Sequence, residues 1–217
     1  SVDGGKSWDQ KNKGIAGAEP FAWQITRRET DGALFLVVSR RSDNGSIGDD
    51  KDGALYKSVD GAENWTKILL PEGTNAPTTI TVDKNNPVKL ILSAWGRVTP
   101  GKFTPDIGGG IFLSADEGKS WKHVLDKDQH IGAVTFDSRN NRYYACGFEG
   151  SAYYSEDGAN TWNRIKGYNF KWGQRVEPDP RDSEKIFIIT FGGGVWYGPA
   201  KGDEQAVEDI VPPINRL

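Results

Sequence analysis

Short apolar segments separated by turn residues run along most of this chain. In the first unit, a near-continuous apolar segment at 33–38 lies between mixed segments at 24–28 and 53–57, and Trp65 opens a further one. Segments of this length, with Gly, Asp and Asn between them, are typical of β-strands joined by turns. The spacing predicts four strands in this unit, and no segment holds a convincing helical period.

The same strand order recurs along the chain, with apolar second strands again at 89–92, 143–146 and 185–189. Repeated four-stranded units of this length are typical of propeller blades. We therefore predict an all-β fold: a β-propeller of four-stranded antiparallel blades, forming part of a seven- or eight-bladed ring. We expect 1–217 to be a single propeller portion, with an outer strand at 1–13, blades at about 21–70, 77–126, 131–166 and 172–200, and a C-terminal tail at 201–217.

A motif of the form Ser-x-Asp-x-Gly/Ala-x-x-Trp appears four times, starting at Ser1, Ser58, Ser114 and Ser155. Each copy falls where the third strand of a unit turns into the fourth. There the Asp carboxylate can accept hydrogen bonds from backbone amides of its own turn. Four carboxylates could suggest metal binding or catalysis, but an active site is normally unique. We therefore predict that these turns are structural.

The fifth position of the motif is Gly in two copies and Ala in the other two, Ala62 and Ala159. Glycine is the usual residue where the backbone needs a positive φ. Because alanine occupies this position twice, we expect that it does not require a positive φ.

The four copies resemble the Asp-box, also called the bacterial neuraminidase repeat. This repeat occurs in sialidases, xyloglucan-active propeller hydrolases, sortilin-type receptors and photosystem assembly factors. The resemblance implies a propeller with its boxes on the face opposite the ligand site, but it implies no single function, because the family includes enzymes and binding proteins. The structural residues it implies are Asp3, Trp8, Asp60, Trp65, Asp116, Trp121, Asp157 and Trp162.

Composition narrows the classes of function. There are 27 Lys and Arg against 30 Asp and Glu, interspersed along the chain, so no broad basic surface for nucleic acid is expected. No segment is apolar for long enough to span a membrane. The single cysteine, Cys146, excludes an internal disulfide framework and a cysteine-rich zinc site. We predict no metal and no cofactor.

The chain begins at Ser1, inside the first copy of the motif, and contains no methionine. We expect the remaining N-terminal portion of the same propeller to be a partner of this chain. In a second arrangement, residues 1–13 close a ring by pairing with the strand at 195–197. No signal segment is visible, but the resemblance favours a secreted, periplasmic or cell-surface protein.

The face opposite the boxes carries the two longest loops, 39–52 and 93–109. Long loops on a rigid scaffold commonly carry function. Aromatic rings on this face could stack on sugar rings while polar groups bond the hydroxyls. Trp23 and Trp172 either join this face or belong to the core. We predict a polysaccharide or oligosaccharide as ligand, bound by Trp95, Arg97, Phe103, His130, Phe148, Tyr168, Trp172 and Arg175.

Glycoside hydrolysis requires two carboxyl groups that flank the scissile bond. Asp106 and Glu149 are the predicted pair, because each lies in a Gly-containing loop of this face. Sialidase activity would use Arg97 and Arg175 on the substrate carboxylate, but the Arg-Ile-Pro motif typical of sialidases is absent. A polysaccharide lyase would use His130 or Tyr168 as its base. The competing class is a non-catalytic protein-interaction or assembly scaffold.

Overall fold

The computed structural model describes residues 1–17, 20–40, 53–74, 76–96, 108–148, 152–170 and 172–207. Within these ranges the secondary structure consists of strands, and no helix could cross a membrane. The strands are β1 (Phe21–Arg27), β2 (Leu34–Arg40), β3 (Ala54–Ser58), β4 (Thr66–Ile68), β5 (Ala76–Val82), β6 (Leu90–Trp95), β7 (Gly110–Ser114), β8 (Lys122–Leu125), β9 (Ile131–Asp137), β10 (Arg142–Gly147), β11 (Ala152–Ser155), β12 (Asn163–Arg164), β13 (Gly173–Pro178), β14 (Lys185–Thr190) and β15 (Val195–Pro199).

The strands form four antiparallel sheets in chain order, which we call blades 1 to 4. Blades 1, 2 and 3 have four strands each, β1–β4, β5–β8 and β9–β12, whereas blade 4 has the three strands β13–β15. The first strands of successive blades lie side by side: Thr26 Oγ1 donates to the Ile80 carbonyl at 2.8 Å, and Thr81 Oγ1 to that of Val134 at 2.6 Å. This arrangement confirms the predicted all-β propeller fold.

The core lies between successive blades. Phe35 and Val37 of blade 1 pack against Ile80 and Leu92 of blade 2, and comparable clusters join blade 2 to blade 3 and blade 3 to blade 4. The second strands of blades 2 and 3 therefore have neighbouring blades on both of their faces. Double burial explains their continuous apolar character, as in β10, which is buried along its whole length.

Every first strand carries an irregularity of register at the same place. The pairing shifts at Trp23 in β1, at Thr78 in β5, at Gly132 in β9 and at Gln174 in β13. A bulge of this kind places one extra residue in the strand and turns its side chain out of the regular alternation. The bulge residues are therefore equivalent positions, and residues the same distance after the bulge correspond between blades.

The four Ser-x-Asp turns have one hydrogen-bond pattern. In the third copy, Asp116 Oδ1 accepts the Ser120 amide at 2.9 Å and the Ser114 hydroxyl at 2.7 Å, while Oδ2 accepts the Ser120 hydroxyl at 2.6 Å. Equivalent bonds occur at Asp3, Asp60 and Asp157. The predicted role of the carboxylate in its own turn is confirmed.

The expectation about the fifth position of the turn is wrong. Ala62 and Ala159 have φ values of 71° and 67°, close to those of Gly5 and Gly118 at 88° and 83°. The preceding position also has a positive φ in every copy, including Glu117 at 61°. The closed hydrogen-bond pattern imposes this geometry, so alanine adopts a left-handed conformation that it disfavours in isolation.

The N-terminal segment does not form the strand predicted at 1–13. No strand occurs in 1–17, because no neighbouring strand is present there to complete a ladder. Instead the segment lies against blade 1, where the Lys11 carbonyl accepts the Trp65 indole N–H at 2.9 Å. Strand β15 pairs only with β14, so the chain does not close a ring onto 195–197 among its described residues.

Candidate functional site

A cavity of about 660 Å³ opens at the end of the blades opposite the Ser-x-Asp turns. That volume is within the range of small-molecule sites, about 300–1,000 Å³. All four bulge residues line the cavity, so the repeated irregularity shapes its wall. Its lining consists of Trp23, Gln24, Thr78, Thr79, Trp95, Gly132, Ala133, Phe148, Trp172, Gly173, Gln174, Arg175, Ile189 and Phe191.

Three aromatic side chains form a connected group on the cavity wall. The rings of Trp95 and Phe148 have centroids 5.1 Å apart and are inclined at 57°. Phe148 lies nearly parallel to Trp172, with centroids 5.8 Å apart and 20° between the planes. Trp95 and Trp172 remain 37 % and 42 % exposed. The group therefore presents open apolar surface in contact with solvent, which could receive the apolar side of a ligand.

Trp172 is held in an unusual backbone conformation. Its φ is +56°, a left-handed value that costs a bulky residue of this kind about 1–3 kcal/mol. Two backbone hydrogen bonds fix it: its N–H donates to the Phe148 carbonyl at 3.0 Å, and its carbonyl accepts the Phe191 N–H at 2.8 Å. The link between blades 3 and 4 is thereby attached to the second turns of both blades.

Close backbone packing next to Trp172 explains why glycine follows it. A Cβ atom on Gly173 would lie 2.0 Å from Cys146 Sγ and 2.6 Å from Phe170 Cε2. Since neither neighbour can withdraw from a packed core without cost, only glycine allows this approach. Cys146 is buried, which raises the pKa of its thiol, so it is a packing residue and not a nucleophile.

The polar groups in the wall are mostly engaged in holding the blades together. Gln24 Oε1 accepts the Ile80 amide at 2.8 Å, and Thr78 Oγ1 donates to the Ile131 carbonyl at 2.8 Å. Arg175 is the charged member of the lining, and its Nη1 is 3.4 Å from Glu177 Oε1. Both partners are partly exposed, so this pair can separate at little cost. No group of three His, Cys, Asp or Glu side chains that could hold a metal occurs within the described ranges.

A second, smaller cavity of about 370 Å³ lies on the inner strands toward the Ser-x-Asp end. Several of its charged residues are paired: Lys84 Nζ lies 2.8 Å from Glu29, and Arg28 Nη2 lies 2.6 Å from Asp31. Gln24 and Arg175 line both cavities. This cavity has Phe136 as its aromatic lining residue and several paired charges, so it is a weaker candidate for a ligand than the larger cavity.

Four of the eight residues predicted to bind substrate meet at the larger cavity: Trp95, Phe148, Trp172 and Arg175. His130 does not join them. It is 5 % exposed and lies edge-on beneath Trp95, with ring centroids 5.9 Å apart. Its carbonyl accepts the Phe148 N–H at 2.9 Å, so His130 supports the aromatic group from below. This backbone hydrogen bond holds the link between blades 2 and 3, on which His130 lies, against the core.

Tyr168 also lies away from the cavity. Its hydroxyl donates to the Pro199 carbonyl at 2.8 Å, and its ring packs with the core between blades 3 and 4. Burial raises the pKa of this hydroxyl to about 12, which disfavours a role as a catalytic base. Of the remaining predicted residues, Arg97, Phe103, Asp106 and Glu149 lie outside the described residues.

Phe191 is a cavity residue that was not predicted from the sequence. It is 64 % exposed and lies in the second turn of blade 4, as Phe148 does in blade 3. Aligning Gly147-Phe148 with Thr190-Phe191 by strand order could have identified it. Trp23 and Trp172, for which the sequence left a core position open, are 63 % and 42 % exposed and line the cavity.

Known proteins resemble this chain both in sequence and in fold. No protein-family profile matches the chain. The chain is 26 % identical, over 231 aligned residues, to a probable oligoxyloglucan-reducing end-specific xyloglucanase of Neosartorya fischeri. The alignment covers 98 % of this chain and 25 % of that protein. The chain therefore spans about a quarter of the length of this relative.

Solved structures show the same fold. A GH74 enzyme of Niastella koreensis superposes with a TM-score of 0.63 at 17 % identity, covering 82 % of this chain and 28 % of the enzyme. An ancestral GH74 enzyme superposes with a TM-score of 0.62 at 15 % identity, covering 86 % of this chain and 24 % of the enzyme. The chain thus consists of β-propeller blades like those of propeller glycoside hydrolases.

Proposed function

We propose that the larger cavity binds a polysaccharide chain or an oligosaccharide, and that this chain is the ligand-binding portion of a propeller glycoside hydrolase. The observation that carries the proposal is the aromatic group of Trp95, Phe148 and Trp172. Its rings are open to solvent and lie next to amide and hydroxyl groups, and two backbone hydrogen bonds hold Trp172 in place. Fixed aromatic surfaces lose little entropy when they receive a ligand.

The class of ligand is supported by the relative from Neosartorya fischeri, whose name describes action on oligoxyloglucan. We propose a xyloglucan-type oligosaccharide as the first ligand to examine. A polymer of this kind cannot cross a membrane, so the proposal implies action outside the cytoplasm, in a secreted, periplasmic or cell-surface protein. The exposed aromatic surface would suit the apolar sides of the sugar rings.

Binding should depend on Trp172 and not on the opposite face. We expect Trp172→Ala to weaken binding of an oligoxyloglucan roughly tenfold or more in calorimetric titration, since an anchoring aromatic is removed from the contact. The matched control is Trp8→Ala, which removes an indole that is 79 % exposed at the Ser-x-Asp end. Equal binding by the two variants would contradict the proposed site.

Catalysis by Asp106 and Glu149 remains part of the proposal. Glu149 follows the cavity residue Phe148 directly in the chain, and Asp106 precedes Gly108 by two positions. Release of reducing ends from polysaccharide should fall by at least about 100-fold in both Asp106→Asn and Glu149→Gln if the two carboxyl groups act together. Hydrolysis that persists in both variants would remove this assignment. If no glycan binds or is cleaved, the non-catalytic scaffold function is favoured.

We also propose that the complete ring has more than four blades. The sequence predicts that the remaining N-terminal portion of the same propeller is a partner of this chain, in a ring of seven or eight blades. The exposed inner strand of blade 1 supports the need for a further blade at that position.

A further inference from the structure

One residue of blade 2 departs from the apolar pattern of the second strands. In the strand pairing, Ser93 of the second strand lies opposite Thr79 of the first. The residues that occupy the corresponding position in blades 1, 3 and 4 are Val37, Cys146 and Ile189. Ser93 is fully buried, so its hydroxyl needs partners within the protein. A polar residue at a position that is apolar in the other blades indicates a role beyond packing.

The Ser93 hydroxyl belongs to a chain of three buried hydroxyls. Its Oγ lies 2.8 Å from Thr78 Oγ1 and 2.6 Å from Thr79 Oγ1. Thr78 Oγ1 also lies 2.8 Å from the Ile131 carbonyl oxygen. At the other end of the chain, the Val134 amide donates to Thr79 Oγ1 at 3.2 Å. Side chains of blade 2 thus connect two backbone groups of blade 3.

The two ends of this chain determine the direction of every hydroxyl proton in it. A carbonyl oxygen only accepts, so the Thr78 hydroxyl must donate to Ile131. Thr78 therefore accepts from Ser93, and Ser93 in turn accepts from Thr79. The Thr79 oxygen accepts the Val134 amide. Each hydroxyl donates once and accepts once, so all three are satisfied in spite of their burial.

The hydroxyl chain holds the bulge of blade 3 from both sides. Ile131 and Val134 lie on either side of the two-residue segment that contains the bulge. This segment, Gly132 and Ala133, lines the larger cavity. Hydrogen bonds in a buried chain polarise one another, so its two ends are held as a unit. Removal of the central hydroxyl, that of Ser93, should therefore loosen both ends of the bulge at once.

The link that leads into this bulge also supports the aromatic group. On that link, the His130 carbonyl accepts the Phe148 N–H at 2.9 Å, and the His130 ring lies beneath Trp95. The Phe148 carbonyl accepts the Trp172 N–H at 3.0 Å. Ser93 is itself fully buried and lies outside the lining of the cavity. It can therefore act on a ligand only through the position of other residues.

We propose that Ser93 is a positioning residue of the larger cavity. Its hydroxyl holds the bulge of blade 3 through Thr78 and Thr79, and the bulge in turn fixes the link beneath the aromatic group. This role rests on the function proposed above for the cavity. Rings that are already held in place lose little entropy on binding, so loss of the hydroxyl chain should lower affinity although no ligand contact is removed.

A matched pair of substitutions separates the hydroxyl of Ser93 from its shape. Threonine and valine are both β-branched, and β-branched residues already occupy the corresponding position in blades 1 and 4, as Val37 and Ile189. Ser93→Thr keeps the hydroxyl and Ser93→Val removes it. In calorimetric titration with an oligoxyloglucan, Ser93→Val should bind roughly three- to tenfold more weakly, whereas Ser93→Thr should bind like the unchanged protein.

The nitrogen-15 NMR spectrum of the free protein tests the positioning without a ligand. The indole signals of Trp95 and Trp172 should shift in Ser93→Val and stay in place in Ser93→Thr. Ser155→Ala is the control for lost stability alone, because it removes a buried hydroxyl at the opposite end and should leave both signals and the affinity unchanged.

Identical indole signals in the two Ser93 variants would overturn the proposal, as would identical affinities where the unchanged protein binds the sugar. If the unchanged protein binds no oligosaccharide, the proposed function fails, and the indole signals alone decide the role of Ser93.

Thr79 provides the same comparison should Ser93→Val fail to fold. Thr79→Val leaves the Val134 amide without its acceptor, whereas Thr79→Ser keeps the hydroxyl. Hydrogen exchange of the Val134 amide should be roughly tenfold faster in Thr79→Val than in Thr79→Ser. Equal exchange rates in these two variants would show that the hydroxyl chain does not hold the bulge, and the proposal would fall.

Discussion

The two ends of the blades differ in whether their turns repeat from blade to blade. At one end the same turn occurs four times, with the same bonds around Asp3, Asp60, Asp116 and Asp157. At the other end the links and second turns differ in sequence from blade to blade, and Trp172 is held at a φ that tryptophan rarely adopts. Repeated geometry indicates a structural role, whereas a unique strained residue beside a cavity indicates a functional one.

The largest effect on stability should come from adding a side chain where two backbone segments lie close together at the cavity end of the blades. A Cβ on Gly109 would lie 1.9 Å from the Gln129 carbonyl oxygen and 2.4 Å from the Gly96 nitrogen. Because backbone cannot move aside, we expect Gly109→Ala to lower the free energy of unfolding by about 3 kcal/mol. Urea denaturation measures this change.

Gly61→Ala is the matched change at the repeated end. Gly61 has a φ of +72° but no atom within 4 Å of an added Cβ, so the cost should be about 1 kcal/mol from backbone strain alone. If the two alanine variants were equally stable, the distinction between close packing at one end and open turns at the other would fail.

Removing a buried hydroxyl from a repeated turn should affect stability without affecting binding. Ser155 is fully buried, donates to Asp157 Oδ1 at 2.8 Å and accepts the Ala159 amide at 3.0 Å. We expect Ser155→Ala to lower the free energy of unfolding by about 1–2 kcal/mol, because a buried amide loses its partner. Calorimetric titration of the variant with oligosaccharide should match the unchanged protein, and a large loss of affinity would count against a purely structural turn.

Two replacements of Trp172 separate backbone strain from ligand binding. Both Trp172→Ala and Trp172→Gly remove the indole, so both should lose affinity for the sugar. Glycine adopts a φ of +56° without strain, whereas alanine adopts it at a cost, so the glycine variant should be more stable by about 1 kcal/mol in urea denaturation. The opposite order of stability would show that the left-handed backbone is not the source of strain.

Acid should weaken the repeated turns. Side-chain hydrogen bonds from Asn64 and Ser120 lower the pKa of Asp60 and Asp116 from 3.8 to about 2. The stability that these carboxylates contribute is fully present above pH 4 and is lost as the pH falls toward 2. Stability measured across this interval should fall less steeply in Asp60→Asn, and an unchanged slope would contradict the assigned bonds.

The sequence predicted the fold well because the fold depends on local patterns that repeat. Apolar second strands and the Ser-x-Asp turns mark three complete blades, and blade 4 was recognised although it lacks the turn. The segment 1–13, where a strand was expected, forms none in the described structure, since an extended segment becomes a strand only when another strand pairs with it. That partner is a tertiary property which the segment itself does not encode.

The site was predicted only in part. Loops on one face converge at the cavity, and strand order alone predicts this. The predicted residues that meet there are Trp95, Phe148, Trp172 and Arg175. His130 and Tyr168 lie on links between blades at the same end, but their side chains pack into the core. Nothing in their neighbouring residues distinguishes a side chain that faces the cavity from one that faces the core. The left-handed Trp172 was also hidden, because its conformation depends on bonds to Phe148 and Phe191 from two other turns.

The central claim is that ligand binds at the aromatic group and not at the repeated turns. The chain has eight tryptophans, so their indole N–H signals in a nitrogen-15 NMR spectrum report on both ends at once. Titration with an oligoxyloglucan should shift the signals of Trp95 and Trp172 and leave those of Trp8, Trp65, Trp121 and Trp162 in place. Shifts confined to the four repeated-turn tryptophans, with Trp95 and Trp172 unmoved, would contradict the account.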